Sequence, residues 1–332
     1  MIGALSLASR LVGLLRDRIF ASTFGAGDTL DVYYAAFRIP DTVFALLVMG
    51  ALSASFIPIF MKYFSGGVLD QPLAWKFTNR MLWLIAGGYI AFAILGTVFA
   101  DPLARLIAPG FGAFKQEHVA AFMRVMFLAQ FFLAISTVFG SVLQATKRFL
   151  LFSLSPVLYN AGIIFGALVL TDVMGLIGLA WGVVFGAVLH MGLSVWGMRD
   201  LGYRFERPKE LLDRDTQQTL ALMGPRMLGL GVGQIQFVIL SIIASGLAAG
   251  SVASFQLAFN LQFFPVGILG VSYAIAVFPV LSEYAHAHDL EAFKNSFATT
   301  MRQLLYLVIP ATILFLLLRA QIVRVVLGGG VF

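Results

Sequence analysis

The sequence predicts an all-α integral membrane protein of about nine spanning helices, arranged as two related helical lobes of which the second is incomplete. Three observations predict it. Of the 332 residues, 60% are hydrophobic and only 11% charged, whereas a soluble domain is nearer half apolar and a quarter charged. Uncharged runs near 20 residues recur, the length a helix needs to cross about 30 Å of hydrocarbon. A set of short motifs also returns at an offset of 220–223 residues. Together these exclude a soluble enzyme, which could not bury so much apolar surface at this size. They also exclude a disordered chain, which needs low hydrophobicity and high charge.

The first span reaches to about Phe24 and carries Arg10, Arg16, Asp17 and Arg18. Uncharged runs at 42–61, 81–100, 125–146, 149–171 and 173–198 follow. The run 227–282 is too long for one helix and is broken at Gly246-Leu247-Ala248-Ala249-Gly250, so it reads as two spans; 303–318 supplies the last. With the N-terminus in the cytoplasm, the inner loops hold 12 basic residues against Arg105 and Lys115 outside. This is the positive-inside pattern. The charge of +6 therefore reports orientation and not nucleic-acid binding, since no basic patch gathers on one domain. No cysteine is present, which excludes disulfides and thiolate metal sites. Met1 to Ser9 lacks a basic leader, so no removable signal peptide is expected. The ending Gly328-Gly329-Gly330-Val331-Phe332 reads as that of a fragment.

Residues 1–200 form the expected first lobe, 201–216 a charged cytoplasmic linker and 217–332 the start of the second lobe. The repeat pairs Gly25-Ala26-Gly27 with Ala248-Ala249-Gly250, and Ala36-Phe37-Arg38 with Ala258-Phe259-Asn260. Met49-Gly50-Ala51 answers to Leu269-Gly270-Val271, and Ile57-Pro58-Ile59-Phe60 to Phe278-Pro279-Val280-Leu281. Two related bundles around a shared site are a transporter architecture.

Charges inside spans are costly and mark functional sites. Arg10 and Asp17 are seven residues apart, within about 20° on one helix face, and Asp31 and Arg38 repeat that spacing. Arginine suits a phosphate-bearing headgroup because its fork bonds bidentately and stays charged. Arg10, Arg16, Arg38 and Arg226 are thus the candidate anion contacts; Arg226 reads equally as a positive-inside anchor. Asp28 reads as an N-cap, and Asp31 as a carboxylate favouring a positive helix end. Gly162, Gly166, Gly178, Gly182 and Gly186 read as a close helix crossing. Enzyme motifs are thin: Asp213-Arg214-Asp215 lies in a charged loop, His286-Ala287-His288 lacks a carboxylate partner, and no P-loop lysine motif occurs.

The chain resembles the MurJ (MviN) family of the MOP superfamily. The resemblance rests on Ser9-Arg10-Leu11-Val12-Gly13, Arg16-Asp17, Phe24-Gly25-Ala26-Gly27, Asp31, Ala36-Phe37-Arg38-Ile39-Pro40, Gly50-Ala51 and Phe56-Ile57-Pro58. It continues through Ala108-Pro109-Gly110-Phe111, Met223-Gly224-Pro225, Phe264-Pro265 with Gly267 and Gly270-Val271, and Pro279 with Leu281-Ser282. It implies a flippase, not an enzyme, that moves lipid II across the bacterial inner membrane by alternating access. The substrate-binding residues it implies are Arg10, Arg16, Asp17, Asp31 and Arg38. Asn260, the repeat partner of Arg38, stands where members carry arginine, and Arg226 would compensate. An arginine pair is likewise absent at Phe44-Ala45, and an acid at Met49. These departures keep a flippase for another polyprenyl-diphosphate glycan as the alternative, ahead of a MATE-like drug exporter or an inactive scaffold. A membrane glycosyltransferase or phosphatase using Asp213 and Asp215 is the alternative from another class. No cofactor or metal is expected, with the membrane potential or a monovalent cation as the energy source. Membrane lipids and cell-wall synthesis proteins are the other expected partners.

Overall fold

A computed structural model describes residues 2–49, 52–65 and 68–332. Gly50 and Ala51, and the side chains of Met49, Val271, Pro279 and His286, lie outside what is described. Helix α1 (Ile2–Phe24) ends at Gly25, whose φ of +65 turns the chain into α2 (Asp28–Phe44). A π-helical segment, Ala45–Met49, leads on to α3 (Leu52–Phe60). A small antiparallel pairing of Phe64 with Leu69 and Ser65 with Val68 precedes α4 (Gln71–Val98), which Asp70 caps by accepting from the Leu73 amide. Next come α5 (Ala100–Ile107), α6 (Ala113–Ala145), α7 (Phe149–Phe165), the short α8 (Thr171–Met174) and α9 (Gly178–Arg199). After the linker stand α10 (Arg214–Ser245), α11 (Ser251–Pro265), α12 (Ser272–His286), α13 (Leu290–Leu317) and α14 (Arg319–Val326). This is an all-α membrane protein.

Among the described residues, five helical stretches are long and apolar enough to cross a membrane, one of them the 51-residue stretch Phe149–Arg199. That stretch folds back on itself as α7 and α9, so it supplies two of the expected spans. The expected count of nine is not established by this measure, for a physical reason. Helix α1 carries four charges, and the α2–α3 and α11–α12 paths are each divided by a π-helical segment.

That division carries the repeat into three dimensions. Helix α2, its π segment and α3 are matched, some 220 residues later, by α11, a π segment at Val266–Val271 and α12. A glycine in the left-handed region also stands in the turn before each copy, Gly25 at +65 three residues ahead of α2 and Gly250 at +86 as the N-cap of α11.

The core lies in the first half, where α6 packs against α2, α4 and α9, and α7 against α1 and α9. Phe56 stacks on Phe60 and Phe77 there, with Tyr63 and Trp75 alongside. The outward faces carry exposed Phe92, Ile94, Leu95, Leu228, Val232 and Leu316, as a lipid-facing surface requires. The glycine stripe performs the expected close crossing: a Cβ on Gly162 would lie 2.3 Å from the Gly186 Cα, and one on Gly182 would lie 2.5 Å from the Gly166 Cα. Gly182→Leu is therefore expected to destabilise the chain by about 3 kcal/mol, the upper range for overpacking. Gly192→Ala, whose Cβ would meet nothing within 4 Å, should melt like the parent in detergent. Equal melting of all three proteins would refute the tight crossing.

Candidate functional site

A polar chain of side chains crosses from one half of the molecule to the other. On α1, Arg16 donates to Asp17 Oδ1 from Nη2 (2.7 Å) and Nε (3.0 Å), and from Nη1 to Asn160 Oδ1 on α7 (3.0 Å). The second Asp17 oxygen accepts from Asn260 Nδ2 on α11 at 3.0 Å. Asn260 Oδ1 accepts from Gln256 Nε2 (2.8 Å), and Gln256 Oε1 accepts from Arg38 Nη2 on α2 (2.7 Å). Arg38 Nε closes the series on Ser241 Oγ of α10 at 2.7 Å, with its guanidinium 5.4 Å from the Phe237 ring centroid. Asp17 is only 3% exposed, and a charge that deep is tolerated because every oxygen is bonded. Asn260 serves here as a neutral link, donating to the carboxylate and accepting from Gln256.

Beside this series a cleft of about 220 Å³ opens between α1 and α11, lined by Arg10, Arg16, Asp17, Asn260 and the rings of Phe259 and Phe263, among others. Arg10 is its distinctive member. Its guanidinium lies against the backbone of Gly267, where a Cβ would fall 1.7 Å from Nη1. Arg10 makes no hydrogen bond or ion pair among the described residues. It lies 14 residues from the end of α1 at Phe24, about 21 Å along the helix at 1.5 Å per residue. An unpaired cation inside a membrane helix is costly unless an anion or water meets it.

Of the residues expected to line one headgroup site, the structure brings Arg10, Arg16, Asp17 and Asn260 into the cleft. Arg38 joins them through Gln256. Arg226 stays apart: it is exposed on α10 and donates to Ser55 Oγ of α3 at 3.3 Å.

Asp31 also stays apart, at the end of the molecule where the two repeat turns meet. It is 1% exposed and accepts from the amides of Gly250 (2.8 Å) and Ala253 (2.9 Å), at the start of α11. Lys115 bridges it (2.8 Å) to Asp28 (2.7 Å). The carboxylate thus favours a positive helix end, as expected, but that of the other half and not its own. Asp28 does not cap α2, whose N-cap Gly27 receives no side-chain bond; it pairs with Lys115 instead. Around this point the halves touch at backbone distance. A Cβ on Gly250 would lie 1.9 Å from the Ala26 carbonyl oxygen, and the Gly110 amide donates to Ser245 Oγ at 3.1 Å.

Asp213 and Asp215 hold the linker. Asp213 caps α10 by accepting from the Thr216 amide at 2.9 Å and pairs with Arg80; Asp215 accepts from Lys62 (2.8 Å) and the Tyr63 hydroxyl (2.7 Å). No group of three or more His, Asp or Glu able to hold a metal occurs among the described residues. Replacing both aspartates with asparagine should lower stability by about 1 kcal/mol, the scale of exposed ion pairs, and leave activity in place. Loss of activity in a variant that still folds would instead favour a catalytic role for the pair.

Asn160, Gln256 and Ser241 were not legible as site residues from sequence. Their one signal is that each is a polar group inside an otherwise apolar run. In lipid such a group must find a partner.

A family model described as "Lipid II flippase MurJ" matches residues 20–332. Among curated relatives, the probable lipid II flippase MurJ of Rhizobium tropici is 28% identical over 346 residues, covering 100% of this chain and 63% of the relative. Its counterpart in Bdellovibrio bacteriovorus is 29% identical, covering 98% of this chain and 63% of the relative. The chain therefore spans less than two thirds of the length of these relatives. Among solved structures, a lipid II flippase MurJ in an inward closed conformation superposes with a TM-score of 0.83 at 22% identity, over 100% of this chain and 68% of that one. An inward-facing multidrug-resistance MATE transporter of the MOP superfamily gives 0.74 at 17% identity, over 96% and 72%. At these identities the two structures speak for the fold alone.

Proposed function

Because the chain belongs to the lipid II flippase MurJ family, we propose that it moves lipid II, a polyprenyl-diphosphate-linked peptidoglycan precursor, across the bacterial inner membrane by alternating access. The observation that carries this reading is the unpaired Arg10 in a cleft between the two halves, next to a hydrogen-bonded series that spans them. A diphosphate supplies the negative charge that Arg10 lacks, and the arginine fork bonds it bidentately. Arg16 has one side committed to Asp17 and Asn160, so it orients the cleft more than it neutralises the ligand. The cleft is too small for a disaccharide-pentapeptide, so the glycan occupies space beyond it and the polyprenyl tail stays in lipid. Translocation makes and breaks no covalent bond.

The excess of basic residues in alternate loops supports a cytoplasmic N-terminus; on that reading the end closed by Asp31 faces outward and the cleft opens to the inside. Alternation then requires the Asp31 contacts to break. The neutral Asn260 favours a second reading, a flippase for another polyprenyl-diphosphate glycan that asks for less positive charge. The test is growth of cells depleted of their own lipid II flippase and supplied with this protein at the family's full length. Rescue supports lipid II; normal insertion without rescue supports the other glycan.

A further inference from the structure

The two walls of the cleft between α1 and α11 differ in chemistry. On α1, Arg10, Gly13 and Asp17 stand at i, i+3 and i+7, on one helix face. On α11 they are met by Phe259, Asn260 and Phe263, so a largely polar wall faces aromatic rings. Phe255, Phe259 and Phe263 form a ladder on successive turns, with centroids 6.4 and 6.0 Å apart and planes inclined by 28° and 25°. Phe237 of α10 meets Phe259 edge-on at 4.8 Å and steadies that ring. Phe263 ends the ladder and is 46% exposed, so it offers a free face.

Gly13 keeps the slot open. A Cβ added there would meet nothing within 4 Å, so the α1 wall at this level is backbone beside empty space. Arg10 marks one end of the slot, against the backbone of Gly267. Phe263 lies four residues before Gly267 and Phe259 eight, about 6 and 12 Å along α11 at 1.5 Å per residue. A group held by Arg10 therefore has the Phe263 ring as its next neighbour along the helix. Farther on, Asp17 and Asn260 are joined at 3.0 Å, and their oxygens keep lone pairs to spare. A pyranose matches this order of groups. Its C–H face suits the negative face of an aromatic ring, and its rim of hydroxyls needs polar partners. A slot filled by lipid alone would leave the charges of the α1 wall without polar company.

We infer that Phe263 and Phe259, across from Gly13, form a stacking platform for the single sugar ring joined to the diphosphate, with Asn260 and Asp17 bonding its hydroxyls. The platform rests on the translocation reading, which sets the diphosphate at Arg10, and adds the substrate group that lies next to it. The slot takes one ring; further sugars and the peptide lie beyond the cleft, as its size requires. Asn260 thereby gains a use that arginine would serve less well. Its neutral amide both donates to and accepts from hydroxyls, and it does not compete with Arg10 for the phosphate.

The test compares equilibrium binding of undecaprenyl diphosphate, bare or carrying one N-acetylhexosamine, to the chain in detergent. The parent should bind the sugar-bearing lipid about tenfold more tightly, the scale of one aromatic contact. Phe263→Leu removes the ring face and Gly13→Leu fills the slot, so in both the preference should fall to about twofold or less. Phe263→Trp should keep the preference, and Phe255→Leu, outside the cleft lining, should match the parent. Arg10→Ala should weaken both lipids alike. Phe263 is exposed, so Phe263→Leu keeps the test decisive should Gly13→Leu fail to fold. Binding of the bare lipid with no sugar preference in the parent, or an unchanged preference in folded Phe263→Leu, overturns the platform and leaves the translocation reading standing. Binding of neither lipid counts against both.

Discussion

Asp31→Ala is expected to open the end of the molecule where the two repeat turns meet and, on the proposed function, to abolish support of growth. The carboxylate is buried and accepts two backbone amides of α11 together with Lys115. Hydrogen bonds to a charged group contribute about 1.5–3 kcal/mol each, so losing the two amide bonds removes roughly 3 kcal/mol or more from the closed arrangement. That is about a hundredfold shift in the balance between closed and open. The amides of Gly250 and Ala253 are then left for water, which only the open form admits freely. A cysteine at Ala26, beside Gly250, reports this directly through labelling from outside with an impermeant maleimide. Labelling should rise to near completion in Asp31→Ala and be intermediate in Asp31→Asn, which keeps an acceptor oxygen but loses the charge. Unchanged labelling in Asp31→Ala would mean that the carboxylate does not hold this end shut.

Arg10→Ala is expected to lose translocation while leaving stability almost untouched. The two readouts separate because Arg10 makes no bond to the protein among the described residues, so its removal breaks no network. One charge-assisted contact to a diphosphate corresponds to about 1.5–3 kcal/mol, or roughly a ten- to hundredfold loss in affinity. Arg10→Lys should recover part of this, since it restores charge but not the fork. Asp17→Ala provides the contrast: it frees Arg16 and Asn260 together and should lower the melting temperature, because the arginine is left buried without its partner. Wild-type transport by Arg10→Ala would remove the cleft from the mechanism.

Much of this was legible in the sequence, and particular residues show why. The uncharged runs declared membrane helices because lipid admits few alternatives, and the glycine stripe declared the α7–α9 crossing because only glycine lets backbones approach so closely. The repeat of α2 in α11 was visible as Ala-Phe-Arg against Ala-Phe-Asn. What it could not show was contact between the copies: Arg38 reaches Asn260 only through Gln256, a residue with no charge to mark it. Arg10 and Asp17 fell on one face of one helix, so periodicity grouped them, and Arg16 joined them by its charge alone. Asp31 shares the spacing rule with Arg38, yet it caps a helix some 220 residues later, which no local pattern encodes. The run beginning at Thr42 also excluded its neighbour Asp41, whose partner Gln130 on α6 is visible only in the fold.

The central claim is that transport needs the end held by Asp31 to open and close. Since the sequence contains no cysteine, Ala26→Cys with Ser251→Cys gives a clean pair across that end, bridged by a short bifunctional methanethiosulfonate and released by reductant. On the proposed function, lipid II translocation by the protein at the family's full length should stop on bridging and return on release, while either single cysteine transports throughout. Full translocation by the completely bridged protein would contradict the account.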